Sequence, residues 1–84
     1  MTKKLIYPAI FHHEDNAFWV DFPDLEGCQS FGDNVEEAFQ MAKEALTAYC
    51  ASILEQGKAL PPPTQIEQMP HIPHSFPSLI EASF

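Results

Sequence analysis

Three carboxylates stand within six residues of one another in the segment VDFPDLEGC, at Asp21, Asp24 and Glu26. A metal-dependent nuclease needs several carboxylates that converge on metal ions, because two ions clamp the attacking and leaving oxygens. Such carboxylates come from different strands, yet the strand that we predict before this segment contributes none. We therefore interpret the segment as a turn, in which Pro23 fixes φ, Asp24 caps its own backbone and Gly27 permits a positive φ.

Histidines and cysteines are the other side chains that could bind a metal or act in catalysis: His12, His13, His71, His74, Cys28 and Cys50. Their spacing matches no strong zinc motif, and the sequence has no CxxC pair. A histidine could activate Cys28 as a nucleophile, but a lone cysteine is more often a small buried apolar residue. We expect no catalytic residue, no metal and no cofactor.

The composition is acidic: the 84 residues carry 12 acidic and 4 basic side chains, and the net charge is −8. All four basic residues are lysines, whereas arginine is the main reader of guanine edges and a leading phosphate ligand. Between residues 14 and 55, ten acids accompany one lysine. This balance argues against nucleic-acid binding by this chain. It fits either a solvated acidic face that keeps the chain soluble or a docking surface for a basic protein partner. Because so short a chain buries a modest core, we also expect a partner protein or homo-oligomerisation.

The sequence gives no indication of secretion or membrane insertion. No stretch resembles a signal peptide or reaches the ~18 consecutive apolar residues of a membrane helix. Two cysteines do not make a disulfide framework. We expect a cytoplasmic protein with free thiols and no membrane partner.

Three strands are predicted in the first part of the chain. Leu5–Phe11 is apolar on both alternations, which predicts a strand buried on both faces. Pro8 then has to lie at the strand start, at a bulge, or where its missing N–H faces no neighbour. The polar stretch His13–Asn16 predicts a turn, so that Ala17–Phe22 forms a hairpin with the first strand. Cys28–Phe31 is the third predicted strand.

A helix of about 22 residues is predicted next. Asn34 is a good N-cap, and Glu37 three residues later completes a capping box. Gly57 is placed to end the helix. Apolar residues recur with helical spacing and form a stripe that should face the core. This stripe includes Phe39, Leu46, Tyr49 and Ile53.

The composition changes after the helix, since six of the eight prolines lie between residues 59 and 77. This predicts a stiff, extended crossover over residues 59–77 and a final strand over residues 78–84. The predicted fold is α+β, a single domain of residues 1–84 with the order βββαβ and residues 1–58 as its βββα core. One helix can cover only one face of such a sheet. We expect the other face, with Trp19, to form an interface.

Four runs of the sequence resemble the HicB antitoxin family: YPAIF, FWVDFPDLEGC, FGDNVEEAFQMAKEAL and EQGKALPPP. They follow the order and spacing of the family pattern over residues 5 to about 63. The resemblance implies a partial RNase H-like fold, with a hairpin-led antiparallel sheet and one long helix on one face. It also implies a partner, the small basic toxin HicA, which cleaves mRNA and is blocked when the antitoxin binds it.

The sequence departs from the family pattern within the motifs and, more markedly, at its end. Glu26 stands where the family usually has proline, and Asn34 where it usually has threonine. Many members continue into a helix-turn-helix or ribbon-helix-helix domain that binds operator DNA, whereas this sequence ends in the predicted strand at Phe84. We therefore expect no DNA-binding domain and no autorepression by this chain alone.

The resemblance and the acidic composition together predict an antitoxin-like protein, not an enzyme, that occludes the active surface of a HicA-type toxin. Acidic side chains would mainly steer the encounter, while buried apolar contacts supply most of the affinity. The residues that we expect to contact the partner are Asp15, Trp19, Asp24, Glu26, Glu36 and Glu37. Two alternatives stay open: a stand-alone interaction or assembly module without a toxin, and a metal-dependent RNase H-like nuclease.

Overall fold

Four strands and one long helix form the fold in the computed structural model, which describes residues 4–83. The elements are β1 (Lys4–Glu14), β2 (Ala17–Asp21), β3 (Gln29–Gly32), α1 (Val35–Glu55), a 3-10 turn (Ile66–Gln68) and β4 (Ser75–Ser83). All neighbouring strands are antiparallel, in the order β3-β2-β1-β4. The predicted α+β class and βββαβ order are confirmed, and β2 and β3 lie within one residue of their predicted bounds.

The hairpin between β1 and β2 turns on two residues rather than four. Glu14 pairs with Ala17, and between them Asp15 and Asn16 have φ values of 46° and 66°, as a type I′ turn requires. Aspartate and asparagine tolerate this left-handed backbone better than other residues with a side chain. The predicted turn over residues 13–16 is therefore too long, and β1 continues to Glu14 instead of ending at Phe11.

Pro8 lies in β1 without losing a ladder hydrogen bond. The His13 amide donates to the His74 carbonyl at 2.9 Å. Because successive amides of a strand point to opposite sides, the nitrogens of the even-numbered β1 residues face β2. Pairing with β2 begins only at Ile10, opposite Asp21. The Pro8 nitrogen therefore points past the end of β2, which is one of the placements predicted for it.

Local hydrogen bonds fix where α1 begins and ends. Asn34 Oδ1 accepts a hydrogen bond from the Glu37 amide at 2.8 Å, and Glu37 Oε1 accepts one from the Asp33 amide at 2.9 Å. The predicted N-cap is confirmed, with the glutamate reaching the residue before the cap. At the other end Gly57 has a φ of 74°, and its amide donates to the Leu54 carbonyl at 3.0 Å.

The core lies between α1 and one face of the sheet. Gly32 allows the helix to approach β3 closely, since a Cβ at this position would lie 2.3 Å from the Ala38 nitrogen. Of the predicted helix stripe, Leu46 is fully buried, and Phe39 and Tyr49 pack against the core. Other buried members of this core include Tyr7, Ala9, Phe11, Val20, Phe22, Leu25, Ala42 and Ile80.

The crossover after α1 passes to the opposite face of the sheet. The Tyr7 hydroxyl donates a hydrogen bond to the Pro61 carbonyl, and residues 63–67 then line a shallow groove together with Pro8 and Leu79. Pro8 is fully buried as a result. The face that we expected to be open is therefore covered at one end by the proline-rich segment.

The final strand, β4, begins at Ser75, three residues before its predicted start at residue 78. Ile80 and Ala82 are buried in the core on the face predicted for them, and Phe84 lies outside the described residues. No helix within residues 4–83 is long and apolar enough to cross a membrane.

Candidate functional site

Three rings form a row across the face of the sheet opposite α1. His12, Trp19 and Phe31 lie on β1, β2 and β3, and the strand register places each residue directly opposite the next. The His12 and Trp19 rings stack, with centroids 3.8 Å apart and planes 7° apart. Phe31 is 68% exposed. This ring row therefore presents aromatic surface on a face that the helix does not cover.

A hydrogen bond fixes the first ring of the row. Nε2 of His12 donates to Oδ2 of Asp21 over 2.8 Å, because an ionised carboxylate can only accept. The two side chains are largely shielded from solvent, with 12% and 25% of their surface exposed, which strengthens the bond. Asp21 thus orients His12, and His12 in turn supports Trp19.

A shallow groove, here called the hairpin groove, lies where the ring row meets the β1–β2 turn. Its lining residues are Glu14, Asp15, Ala17, Phe18, Trp19 and Phe31. Trp19 and Phe31 supply aromatic surface, while Glu14 and Asp15 are exposed acids. Within residues 4–83 no basic side chain lines this groove. Of the residues predicted to contact a partner, Asp15 and Trp19 therefore meet at one surface.

Asp24 and Glu26, two further predicted contact residues, lie at the other end of β2 in the loop before β3. This loop is the predicted turn, with Gly27 at a φ of 82°. Both carboxylate oxygens of Asp24 accept from Thr64, one from the amide at 2.8 Å and one from the hydroxyl at 2.6 Å. Asp24 therefore holds the crossover instead of capping its own backbone. Glu26 is exposed, and its carbonyl accepts a hydrogen bond from the Tyr49 hydroxyl at 3.0 Å.

Glu36 and Glu37 occupy the first turn of α1, on the helix side of the sheet. Both carboxylates favour the positive end of the helix dipole. Glu37 is part of the N-cap, whereas Glu36 is exposed beside Phe39 and Lys43. The structure thus divides the six predicted contact residues among three places, and their role in binding stays a prediction.

The three carboxylates first considered as metal ligands do not converge. Asp21 holds a ring on the open face, Asp24 holds the crossover, and the Glu26 side chain is exposed. In the part of the chain that the structure describes, no three side chains of His, Cys, Asp or Glu are grouped to hold a metal ion. The geometry therefore offers no support for a two-metal nuclease centre.

Both cysteines are buried in the core as free thiols. Burial raises the pKa of Cys28 to about 11, with a smaller contribution from the neighbouring Cys50. Burial also raises the pKa of Cys50. Both thiols are therefore protonated at neutral pH and are poor nucleophiles, in agreement with the packed role expected for Cys28.

Comparison with known proteins identifies the family. Residues 7–80 match the HicB-like antitoxins of bacterial toxin–antitoxin systems. The chain belongs to this family. Antitoxin HicB 2 of Photorhabdus laumondii is 34% identical to this HicB-like chain over 77 residues, which make up 90% of this chain and 55% of the relative. The chain spans about half the length of the curated relatives it matches.

Solved structures share the fold of this HicB-like chain. A chain of a toxin–antitoxin complex from Streptococcus pneumoniae has a TM-score of 0.87 and 26% identity, over 95% of this chain and 69% of that chain. The N-terminal domain of the antitoxin HicB from Burkholderia pseudomallei has a TM-score of 0.77 and 21% identity, over 90% of this chain and 95% of that one. The family resemblance predicted from the sequence motifs is confirmed.

Sequence reasoning missed two of the three rings in the row and the role of Asp21. A signal for His12 was present, because a two-residue Asp-Asn turn places His12 opposite Trp19 and Asp21 two residues further along β2. No comparable signal existed for Phe31. Its position opposite Trp19 depends on the long loop between β2 and β3, and loop sequence does not determine strand register at that length.

Proposed function

We propose that this HicB-like protein is an antitoxin that binds a small basic HicA-type toxin and stops its mRNA cleavage by occluding the toxin's active surface. The family match over residues 7–80 carries the proposal, because that span contains all of α1 and most of the sheet. The likeness to a chain of a toxin–antitoxin complex at 26% identity supports it as well.

The charge of the chain supports a basic partner. The net charge is −8 and arginine is absent, so a toxin that carries positive charge to bind RNA would be attracted electrostatically. Acidic side chains of the antitoxin would then take the place of RNA phosphates at the toxin surface. Apolar contacts would supply most of the affinity, and the ring row is the aromatic surface that the chain offers for them.

The proposed role is stoichiometric binding rather than catalysis. The candidate carboxylates make other contacts, and both thiols are protonated at neutral pH, which supports a protein without enzymatic activity. The lack of arginine supports a chain that does not itself bind nucleic acid. The role needs no cofactor, and the proposed place of action is the cytoplasm, where such a toxin meets mRNA.

Self-association is the second part of the proposal. β3 and β4 are the two edges of the sheet, and strand edges offer backbone donors and acceptors to another chain. Leu79 on β4 is 54% exposed and adds an apolar side chain beside that edge. Sedimentation velocity of the purified chain should therefore show an oligomer. A monomer at all micromolar concentrations would contradict this part.

Co-expression with a small basic protein of the HicA type, taken from the neighbouring reading frame if that frame encodes one, tests the antitoxin role. The basic protein alone should stop bacterial growth, and the HicB-like chain should restore growth and co-purify with it. An unrelated acidic protein of similar size is the control for charge and should restore nothing. Growth that stays arrested in the presence of abundant folded chain would contradict the proposal. RNA cleavage by the chain alone with a divalent metal would favour the nuclease alternative instead.

A further inference from the structure

We propose that the hairpin groove is the place where the partner protein docks, and that it receives a lysine or arginine side chain of that partner. This inference rests on the proposed function, because it names the surface of the antitoxin that meets the basic toxin. The hairpin groove has two parts: the aromatic surface of Trp19 and Phe31, and the acids Glu14 and Asp15 beside that surface.

In the aromatic part of the groove, Trp19 is half-buried and already held in place, and Phe31 is exposed. Asp21 binds His12, and His12 stacks against Trp19, so the Trp19 ring loses little rotamer freedom when a partner arrives. Phe31 lies opposite Trp19 on the edge strand β3 and is 68% exposed. A cation placed over such rings is attracted by their negative faces, and a guanidinium group can also stack on them.

The acidic part of the groove is left without a cation by the chain itself. Within residues 4–83, neither Glu14 nor Asp15 forms an ion pair. The one lysine in an ion pair there is Lys4, which lies 3.7 Å from Glu81 on the β1–β4 side of the sheet. A carboxylate bound to an ammonium or guanidinium forms a charge-assisted hydrogen bond, which is stronger than a neutral one.

The combination of rings and acids selects among possible occupants. Phosphate groups of a nucleic acid would be repelled by Glu14 and Asp15. An uncharged apolar side chain that covered the Trp19 and Phe31 rings would leave both acids beside it without a cation. A second copy of this chain is a poor occupant, because it has no arginine and only four lysines. A basic protein supplies the cation and the apolar stem that cover both parts of the groove.

A matched pair of triple variants tests the proposal. The groove variant combines Glu14→Gln, Asp15→Asn and Phe31→Ala; asparagine retains the left-handed backbone that the turn requires. The control variant combines Glu55→Gln, Glu67→Gln and Ile6→Ala, three exposed residues that do not line the hairpin groove. It makes the same change in charge and also removes one exposed apolar side chain. Circular dichroism confirms that both full-length variants fold before binding is measured.

Two probes are used with each protein. The first is a purified basic toxin of the HicA type, and the second is a blocked peptide of six arginines, with a peptide of six glutamines as the blank. Binding is followed through the fluorescence of Trp19, the single tryptophan of the chain. The groove variant should weaken Kd for the toxin roughly tenfold or more, since residues central to an interface carry most of its affinity. The control variant should change Kd by less than about twofold.

Every outcome decides the proposal. Equal weakening by both variants would show that only overall charge matters, and unchanged toxin binding by the groove variant would show that the toxin docks elsewhere; either result overturns the inference while the antitoxin role stands. If the unaltered chain binds no toxin, the antitoxin role fails, and the arginine peptide alone decides whether the groove receives a cation. If the groove variant dissociates an oligomer of the unaltered chain, the groove is a contact between copies, which also overturns the inference.

Discussion

Asp24 binds Thr64 through both of its carboxylate oxygens, although the two residues lie 40 positions apart in the sequence. These hydrogen bonds attach the proline-rich crossover to the loop between β2 and β3. The attachment lies where the crossover leaves the helix side of the sheet. Asp24 is partly buried, so its bonds are better shielded from water than those of an exposed acid.

Removing this attachment should destabilise the protein. Asp24→Ala leaves the Thr64 amide without its partner, and we expect the free energy of unfolding to fall by about 1–3 kcal/mol. Thr64→Val removes one of the two bonds, so the double variant should lose less than the sum of the single losses. Urea denaturation measures the free energy of unfolding of the two single variants and of the double variant. Glu26→Gln changes an exposed acid of the same loop and should alter stability by less than ~0.5 kcal/mol; a loss equal to that of Asp24→Ala would contradict the account.

Gly32→Ala should disrupt the packing of α1 on β3. The added Cβ would lie 2.3 Å from the Ala38 nitrogen, so the helix backbone has to shift, at a cost of about 3 kcal/mol or more. Gly27→Ala is the comparison, because no atom lies within 4 Å of its added Cβ and only its φ of 82° opposes the change, at roughly 1–2 kcal/mol. Thermal unfolding should show the larger loss for Gly32→Ala, and the reverse order would show that the close approach is not needed.

Stability should fall as the pH rises through the alkaline range. Burial raises the pKa of Cys28 from 9.0 to about 11, so the folded state keeps a proton that the unfolded chain gives up. The stabilisation due to this group is fully present below about pH 9 and is lost as the pH rises towards about 11. The urea midpoint should decrease over this window, and less steeply in Cys28→Ala, which retains the contributions of Cys50 and Tyr7. Equal slopes for the two proteins would refute this assignment.

His12→Ala should loosen the Trp19 ring. With the stacked imidazole removed, Trp19 becomes more exposed, so its fluorescence emission should shift to longer wavelength and stability should fall by about 0.5–1.5 kcal/mol. His13→Ala is the matched control, because that imidazole stacks on Phe18 instead, with centroids 4.5 Å apart. The emission should stay unchanged in His13→Ala, and an equal shift in both variants would mean that His12 does not shield Trp19.

Elements with local signals were predictable from the sequence. The N-cap at Asn34, its partner Glu37 and the positive φ at Gly57 all follow from residues within one turn of the helix end. The attachment of Asp24 to Thr64 was not predictable in this way, because neither residue carries a local sign of a partner 40 positions away. For the same reason, the burial of Pro8 beneath the crossover was not predictable from the sequence.

The candidate surface was predicted only in part. Trp19 and Asp15 were chosen from the open face and the charge pattern, and they do meet in the hairpin groove. Charge density alone could not separate Glu26 or Glu36 from that groove, because the position of an exposed acid depends on the element that carries it. Turn length was the decisive detail, since a two-residue turn sets the register that brings His12 beside Trp19.

Inhibition of mRNA cleavage by the purified toxin is the most direct test of the antitoxin role. A purified HicA-type toxin is incubated with mRNA and increasing amounts of the HicB-like chain. Cleavage should fall to background once the molar ratio reaches that of the isolated complex, and the chain alone should leave the mRNA intact. Cleavage that persists in a large molar excess of folded chain would contradict the central claim.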